Sequence, residues 1–317
     1  MWDKGEYSFS TCWNIKKHPA NGRELIEEIK ELGFRYVELN YNIKAEHLET
    51  IEPMIEKGEI GISSVHNVFP YIADKDYDTD SVMLGFDDEA KRKRSVELLI
   101  RSIEYADRYG AKAVVVHPGE VPFDYNIDHE LKQLYREHGR ESDAYQKLWR
   151  EMLQKREQGS PIYTKRIQDS LEEVCEYSAK KGYNVVIGIE TRSRCYQMPS
   201  LLEAKTICDN LKGSPVYLWY DIGHVMMMDR MGLYNNLEEL QQVKSYVYGV
   251  HIHETLELSD HWCPYVHSKE EYFDHFLEVI DRAPLKVYEL KAVCQPEEIH
   301  ESHGLIASKI ASLKKHG

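Results

Sequence analysis

Four short apolar runs in the second half of the sequence each end in an ionisable residue: Glu190, Asp221, His253 and Glu289. A carboxylate at the end of a buried strand often does no more than cap the following helix, so any one of these alone would carry little meaning. Four in succession are different. If they converge, three carboxylates and an imidazole repel and desolvate one another unless positive charge sits between them. A divalent cation supplies that charge, and a set rich in oxygen with one nitrogen suits Mn2+, Mg2+ or Co2+, with Zn2+ also accommodated. Two earlier runs end in histidine, at His66 in Ser64-Val65-His66-Asn67 and at His117 in Val115-Val116-His117-Pro118-Gly119. A lone histidine in such a place is more often a hydrogen-bonded core residue, but both would face the same opening. His224, Arg192, Arg194 and Lys291 follow just past the runs. They suit hydroxyls, a carboxylate or a phosphate, and for each arginine a surface ion pair serves equally well.

The elements that must position these residues are visible as eight β-branched or aromatic runs, at 7–11, 36–40, 60–66, 113–117, 185–190, 216–221, 247–253 and 285–289. Charged stretches of helical character lie between them. In the first, about 22–33, Leu25, Ile26, Ile29 and Leu32 recur at helical spacing and Gly33 marks the stop. The run ends are 29, 26, 51, 73, 31, 32 and 36 residues apart, and five of these seven intervals fit one βα unit. Strands alternating with helices imply a parallel sheet, and eight such units predict a closed (β/α)8 TIM barrel. An open doubly wound sheet is weakened by the lack of a GxGxxG after any run. In a barrel, residues at the C-terminal strand ends meet at one mouth, which gives the eight run ends a common destination.

The two long intervals hold extra chain. Residues 70–88 read as a long loop after strand three, with Tyr71, Tyr77 and Phe86 among aspartates. Residues 124–165 read as a helical insertion after strand four, interrupted at Gly139 and at Gly159-Ser160-Pro161, with eight basic and eight acidic residues. A decorative hairpin or a subunit contact through Trp149 and the insertion's tyrosines is the plain expectation for it, which leaves a homo-oligomer open; a lid over the mouth is the functional one. The whole of 1–317 is expected to form one domain.

Composition narrows the partners. Lys and Arg number 40 against 54 Asp and Glu, a net charge of −14, so a broad nucleic-acid footprint is not expected. No apolar run approaches the roughly 20 residues that span a bilayer. The start, Met-Trp-Asp-Lys-Gly-Glu, has no basic leader and no apolar core, so a cytoplasmic protein is expected. The cysteines at 12, 175, 195, 208, 263 and 294 contain no CxxC pair and read as small buried side chains.

In order and spacing, Gly188-Ile189-Glu190-Thr191-Arg192, Trp219-Tyr220-Asp221-Ile222-Gly223-His224, Gly249-Val250-His251-Ile252-His253 and Val287-Tyr288-Glu289 resemble the xylose isomerase-like barrel superfamily. That group includes sugar-phosphate isomerases and epimerases, ketose 3-epimerases and endonuclease IV. The resemblance implies that Glu190, Asp221, His253 and Glu289 hold one divalent metal and that Glu190 and Glu289 also act as the acid/base pair. It selects His253 over His251, leaving His251 to support it. It further implies a small polyhydroxylated carbonyl substrate, a sugar or sugar phosphate, and by their positions at and just past the runs His66, His117, Arg192, His224 and Lys291 are the expected contacts. The endonuclease branch uses three zinc ions, and the positions matching His66, His117 and His224 are present, which keeps a second metal near His66 and His117 open and makes a polynuclear zinc phosphodiester hydrolase the alternative. That branch places an Asp-x-His pair after strand seven, where this chain has adjacent Asp260-His261. Neighbours in an extended loop point opposite ways, so joint ligation by these two is not expected.

Overall fold

The computed structural model describes residues 4–268 and 271–316. Positions 1–3, part of the stretch read for a leader, lie outside the described residues. Eight parallel strands close into a barrel: β1 (Tyr7–Ser10), β2 (Tyr36–Leu39), β3 (Gly61–His66), β4 (Ala113–Val116), β5 (Val186–Glu190), β6 (Val216–Asp221), β7 (Val247–Ile252) and β8 (Leu285–Tyr288). Each pairs with its sequence neighbours, and β8 closes on β1 with Phe9 opposite Tyr288. All eight expected runs are strands, their ends displaced by a residue or so.

The helices are α1 (Gly22–Glu31), α2 (Ala45–Glu56), α3 (Glu89–Arg108), α4 (Ile127–His138), α5 (Asp143–Lys181), α6 (Leu201–Asn210), α7 (Ile222–Met231), α8 (Asn236–Val243), α9 (Leu277–Arg282) and α10 (Pro296–His316). Leu25, Ile26 and Ile29 of α1 are fully buried in the main core, which lies between the strands and the helices. No helix among the described residues is long and apolar enough to cross a membrane.

The insertion differs from expectation at one point. Gly159-Ser160-Pro161 does not interrupt it; α5 runs through all three. Packing outweighs the local preference. A Cβ on Gly159 would lie 2.6 Å from Val121 Cγ1, so glycine permits close approach there, and Ser160 Oγ bonds to Glu203 of α6. Of the insertion's aromatic residues, Tyr125 is exposed, while the two at the start of α5 are spent within the chain. Tyr145 and Trp149 stack at 5.8 Å in a second core with Ile127, Leu131, Met152, Met227 and Met231, against α7.

Inside the barrel, Ala113, Val115, Trp219 and Val287 form a small apolar plug. Trp219 is fully buried, and its ring fits because the strands on either side carry glycine where it presses. A Cβ on Gly249 would stand 2.2 Å from Trp219 Cζ3, and one on Gly188 would stand 2.8 Å from Cε3. The ladder then fixes what lies above. Trp219 pairs with Gly249 and Asp221 with His251, so the residues two beyond the plug share one layer.

Gly249→Ala is therefore expected to lower unfolding free energy by about 1–3 kcal/mol through overpacking. Denaturant titration checks this, and wild-type stability would show that the Trp219 ring is not held in place.

Candidate active site

At the mouth, Glu190, Asp221, His251 and Glu289 each offer a ligand atom within 4.8 Å of the others, and all four are buried. His251 Nδ1 is the centre. It lies 3.2 Å from Glu190 Oε1, 3.2 Å from Glu289 Oε2 and 3.4 Å from Asp221 Oδ2. Asp221 does two tasks, since Oδ1 accepts the His224 backbone N–H at 2.7 Å and caps α7 while Oδ2 faces the group.

The placement of the two strand-seven histidines is the reverse of expectation. His253 lies past the end of β7, and both its nitrogens are engaged by protein. Nδ1 accepts the backbone N–H of His261 at 2.9 Å, which leaves the proton on Nε2, 2.8 Å from Asp221 Oδ1. It orients Asp221, with both ring nitrogens engaged by protein groups. His253 also accounts for the glycine in Asp221-Ile222-Gly223-His224, because a Cβ on Gly223 would lie 2.0 Å from its Nδ1.

Charge is tightly balanced here. Burial opposes the charge on His251, yet Glu289, Glu38 and Glu190 hold its pKa well above the usual value. Glu190 is held well below the carboxylate range, against burial, by His117 and His251. Glu289 goes the other way: burial, only partly offset by His251 and His261, raises it to about 7. The two glutamates are thus pushed in opposite directions, Glu190 toward its ionised form and Glu289 toward its protonated form.

Two further groups border this one. His66 Nε2 and His117 Nε2 lie 3.2 and 2.7 Å from Glu190 Oε2. Their Nδ1 atoms face the carbonyls of Asn67 and Thr79 at 2.9 and 3.1 Å. Arg192 is buried beside them, donating from Nη1 to His117 Nε2 and from Nη2 to Asp80 Oδ1 at 2.5 Å. It is no surface ion pair. On the other side, His224 Nδ1 faces the Thr191 carbonyl at 3.0 Å and His261 Nδ1 the Glu289 carbonyl at 2.9 Å. Their Nε2 atoms are turned toward Asp260 Oδ2, at 3.8 and 4.0 Å. Burial lowers the His224 pKa to about 4, against Asp221 and Glu190, so its ring is neutral. Asp260 Oδ2 and His261 Nε2 thus lie on the same side near His224, although the two residues are neighbours in a short strand, 259–262. His261 has φ +61°, a left-handed conformation that histidine adopts more readily than most residues, and it closes the two side chains together. Lys291 stands at the rim, its Nζ 4.0 Å from the Trp262 ring centre and 2.9 Å from Ser259 Oγ.

Residues that the sequence reading passed over complete the site. Glu38 is fully buried 3.1 Å from His251 Nε2, and Asp80 comes from the loop after β3. Tyr41 stands edge-on to His66, 5.1 Å between ring centres, and lines a cavity of about 270 Å3 with Tyr71, Tyr77 and Thr79. From the insertion, Arg156 binds Glu203 through both terminal nitrogens and the carbonyls of Cys195 and Gln197, while Lys132 Nζ donates to the Ser193 carbonyl at 2.8 Å. The insertion thereby braces the loop that carries Arg192.

Several solved structures share this fold over nearly their full length. They include 3-keto-D-glucoside 4-epimerase YcjR from E. coli, at 18% identity and a TM-score of 0.61 over 92% of this chain and 95% of that one. A D-tagatose 3-epimerase-like protein gives 16% and 0.65 over 98% and 99%, and D-allulose 3-epimerase from Methylomonas sp. gives 13% and 0.60 over 98% and 96%. No curated protein sequence matches the chain. The family model for the xylose isomerase-like TIM barrel matches residues 26–283, a span holding every barrel strand but the first and last, and the chain belongs to that family.

Proposed function

We propose that the protein is a divalent-metal-dependent isomerase or epimerase of a small polyhydroxylated carbonyl compound, a sugar or sugar phosphate. The observation that carries this reading is the buried convergence of Glu190, Asp221, Glu289 and His251 Nδ1 on one point. Three carboxylate oxygens and an imidazole nitrogen fit a divalent cation such as Mn2+, Mg2+, Co2+ or Zn2+. In this reading His251 takes the ligand role expected of His253. The sugar epimerases among the proteins of like fold agree with it.

A bound cation supplies the positive charge that stabilises an enediolate as the proton beside the carbonyl leaves. The chain's own residues do the rest. Glu190, held ionised, removes that proton, and Glu289, holding its own, delivers one to the other side. Glu190 Oε1 and Glu289 Oε2 both lie 3.2 Å from His251 Nδ1, so the two carboxyl groups stand close to the same centre. His66, His117, His224 and Arg192 surround Glu190 and in this reading bind substrate hydroxyls, with Lys291 at the rim.

A second reading draws on the two bordering groups. His66, His117 and Glu190, and His224, His253 and His261 with Asp260 nearby, resemble further cation sites of a polynuclear zinc enzyme that cleaves a phosphodiester. It ranks below the first because the Arg192 guanidinium already fills the space at His117 Nε2, and because the chain's net charge of −14 disfavours a polyanionic substrate.

In D2O with D-allulose, D-tagatose or L-ribulose, the wild type should incorporate solvent deuterium, and Glu190→Gln or Glu289→Gln should abolish it. Wild-type exchange in both variants would remove the proposed bases. Metal analysis separates the two readings: about one ion per chain supports the isomerase. Two or three Zn2+ per chain, lost on His66→Ala or His117→Ala, with nicking of abasic DNA that persists in moderate salt, would establish the hydrolase.

Chelated protein offers a test of the Glu289 proton. Its pKa of about 7 is above the unfolded value of roughly 4.3. A raised carboxyl contributes stability that is complete below the unfolded value and is lost as pH rises through the folded one. Glu289→Gln cannot ionise, so its melting temperature relative to wild type should climb from pH 5 to pH 8 in chelator, and the gap should shrink on adding Mn2+. A pH-independent difference would contradict this assignment.

A further inference from the structure

The ring of His251 has two nitrogens, and the chemistry proposed above needs a free lone pair on Nδ1. Whether that lone pair exists is decided at Nε2. Glu38 lies there, on β2, reaching across the barrel to β7. Its oxygens stand 3.1 and 3.2 Å from Nε2, and the side chain has no contact with solvent. A carboxylate has acceptors only, so two oxygens astride Nε2 require the hydrogen on that nitrogen, and Nδ1, which faces Glu190, Asp221 and Glu289, is the nitrogen whose proton a cation would displace.

Glu38 is itself held in place. The β2–β3 ladder skips a residue, pairing Val37 with Ile62 but Glu38 with Ser64, and a bulge of this kind re-aims a side chain. The result puts Ser64 Oγ 2.8 Å from Glu38 Oε2, where it donates a hydrogen bond. The imidazole is bounded on its other sides by Trp219, 5.3 Å between ring centres, and by His66, stacked at 6.3 Å. A buried carboxylate reaching across a barrel is costly to keep for packing alone, since an apolar side chain would fill the same space.

Resting on the metal-dependent reading, we infer that Glu38 is a positioning residue for the cation site: through Nε2 it sets the tautomer and plane of His251, presenting the Nδ1 lone pair to the ion, with Ser64 holding Glu38 in register. Outer partners of this kind typically set metal affinity by about 10–100-fold. Glutamine at 38 keeps the shape but can turn its NH2 toward Nε2, which favours the wrong tautomer.

Mn2+ titration followed by electron paramagnetic resonance tests this without any substrate. The expected result is a dissociation constant raised about 10–100-fold in Glu38→Gln, with a smaller rise in Ser64→Ala, in protein whose metal-free melting temperature and circular dichroism match wild type. Nitrogen-15 histidine spectra should show the Nε2–H form of His251 in wild type with Mg2+ bound and its loss in Glu38→Gln. Should Glu38→Gln not fold, Ser64→Ala carries the same comparison. Wild-type affinity and an unchanged tautomer in the folded variants would overturn the role of Glu38 alone. A wild type that binds no Mn2+ would instead remove the metal reading, and this role with it.

Discussion

Everything at the barrel mouth answers to one constraint: more carboxylates are buried there than positive groups to match them. Glu38, Glu190, Asp221 and Glu289 all lie around His251, out of water, where an unpaired charge is expensive. Without a cation the group answers by taking up protons more readily, with the pKa values of His251 and Glu289 both pushed upward. Amides at these positions would remove the excess charge, and none of the four residues is one. His253 and His224 serve the same end, each fixing one side of Asp221.

The surrounding elements keep these charges from relaxing. Below, the Trp219 plug excludes water and sets the level at which the strand ends stop. Alongside, the long α5 reaches back to the loop after β5, where Arg156 is fully committed to Glu203 and two backbone carbonyls. That anchoring lets Arg192 stay buried against His117 and Asp80 rather than swing out toward solvent. The insertion is therefore part of the scaffold of the site, since its aromatic face is spent on α7 and its polar face on the Thr191–Gln197 segment.

The barrel was legible in the sequence because buried parallel strands are apolar along their whole length, and the interval between their ends betrays the helix in between. Glu190, Asp221 and Glu289 stood out as charges ending such runs. The choice between His251 and His253 was not legible. By alternation both fall on one side of the run, and only the ladder that pairs Asp221 with His251 sets which one stands level with the carboxylates. Glu38 sat in an ordinary-looking run, Tyr36-Val37-Glu38-Leu39-Asn40, and a carboxylate between Val37 and Leu39 was the available signal. Asp260 and His261 turn on one backbone angle, and α5 passes Pro161 because tertiary contacts outweigh a local breaker; neither is encoded in the spacing of residues.

The plug of Ala113, Val115, Trp219 and Val287 has a kinetic consequence. With its base stopped by an indole and aliphatic side chains, the barrel is a cup rather than a tunnel. Along the barrel axis, anything bound beside His251 would have to enter and leave on the side of the C-terminal strand ends, so an outgoing molecule would stand in the way of the next.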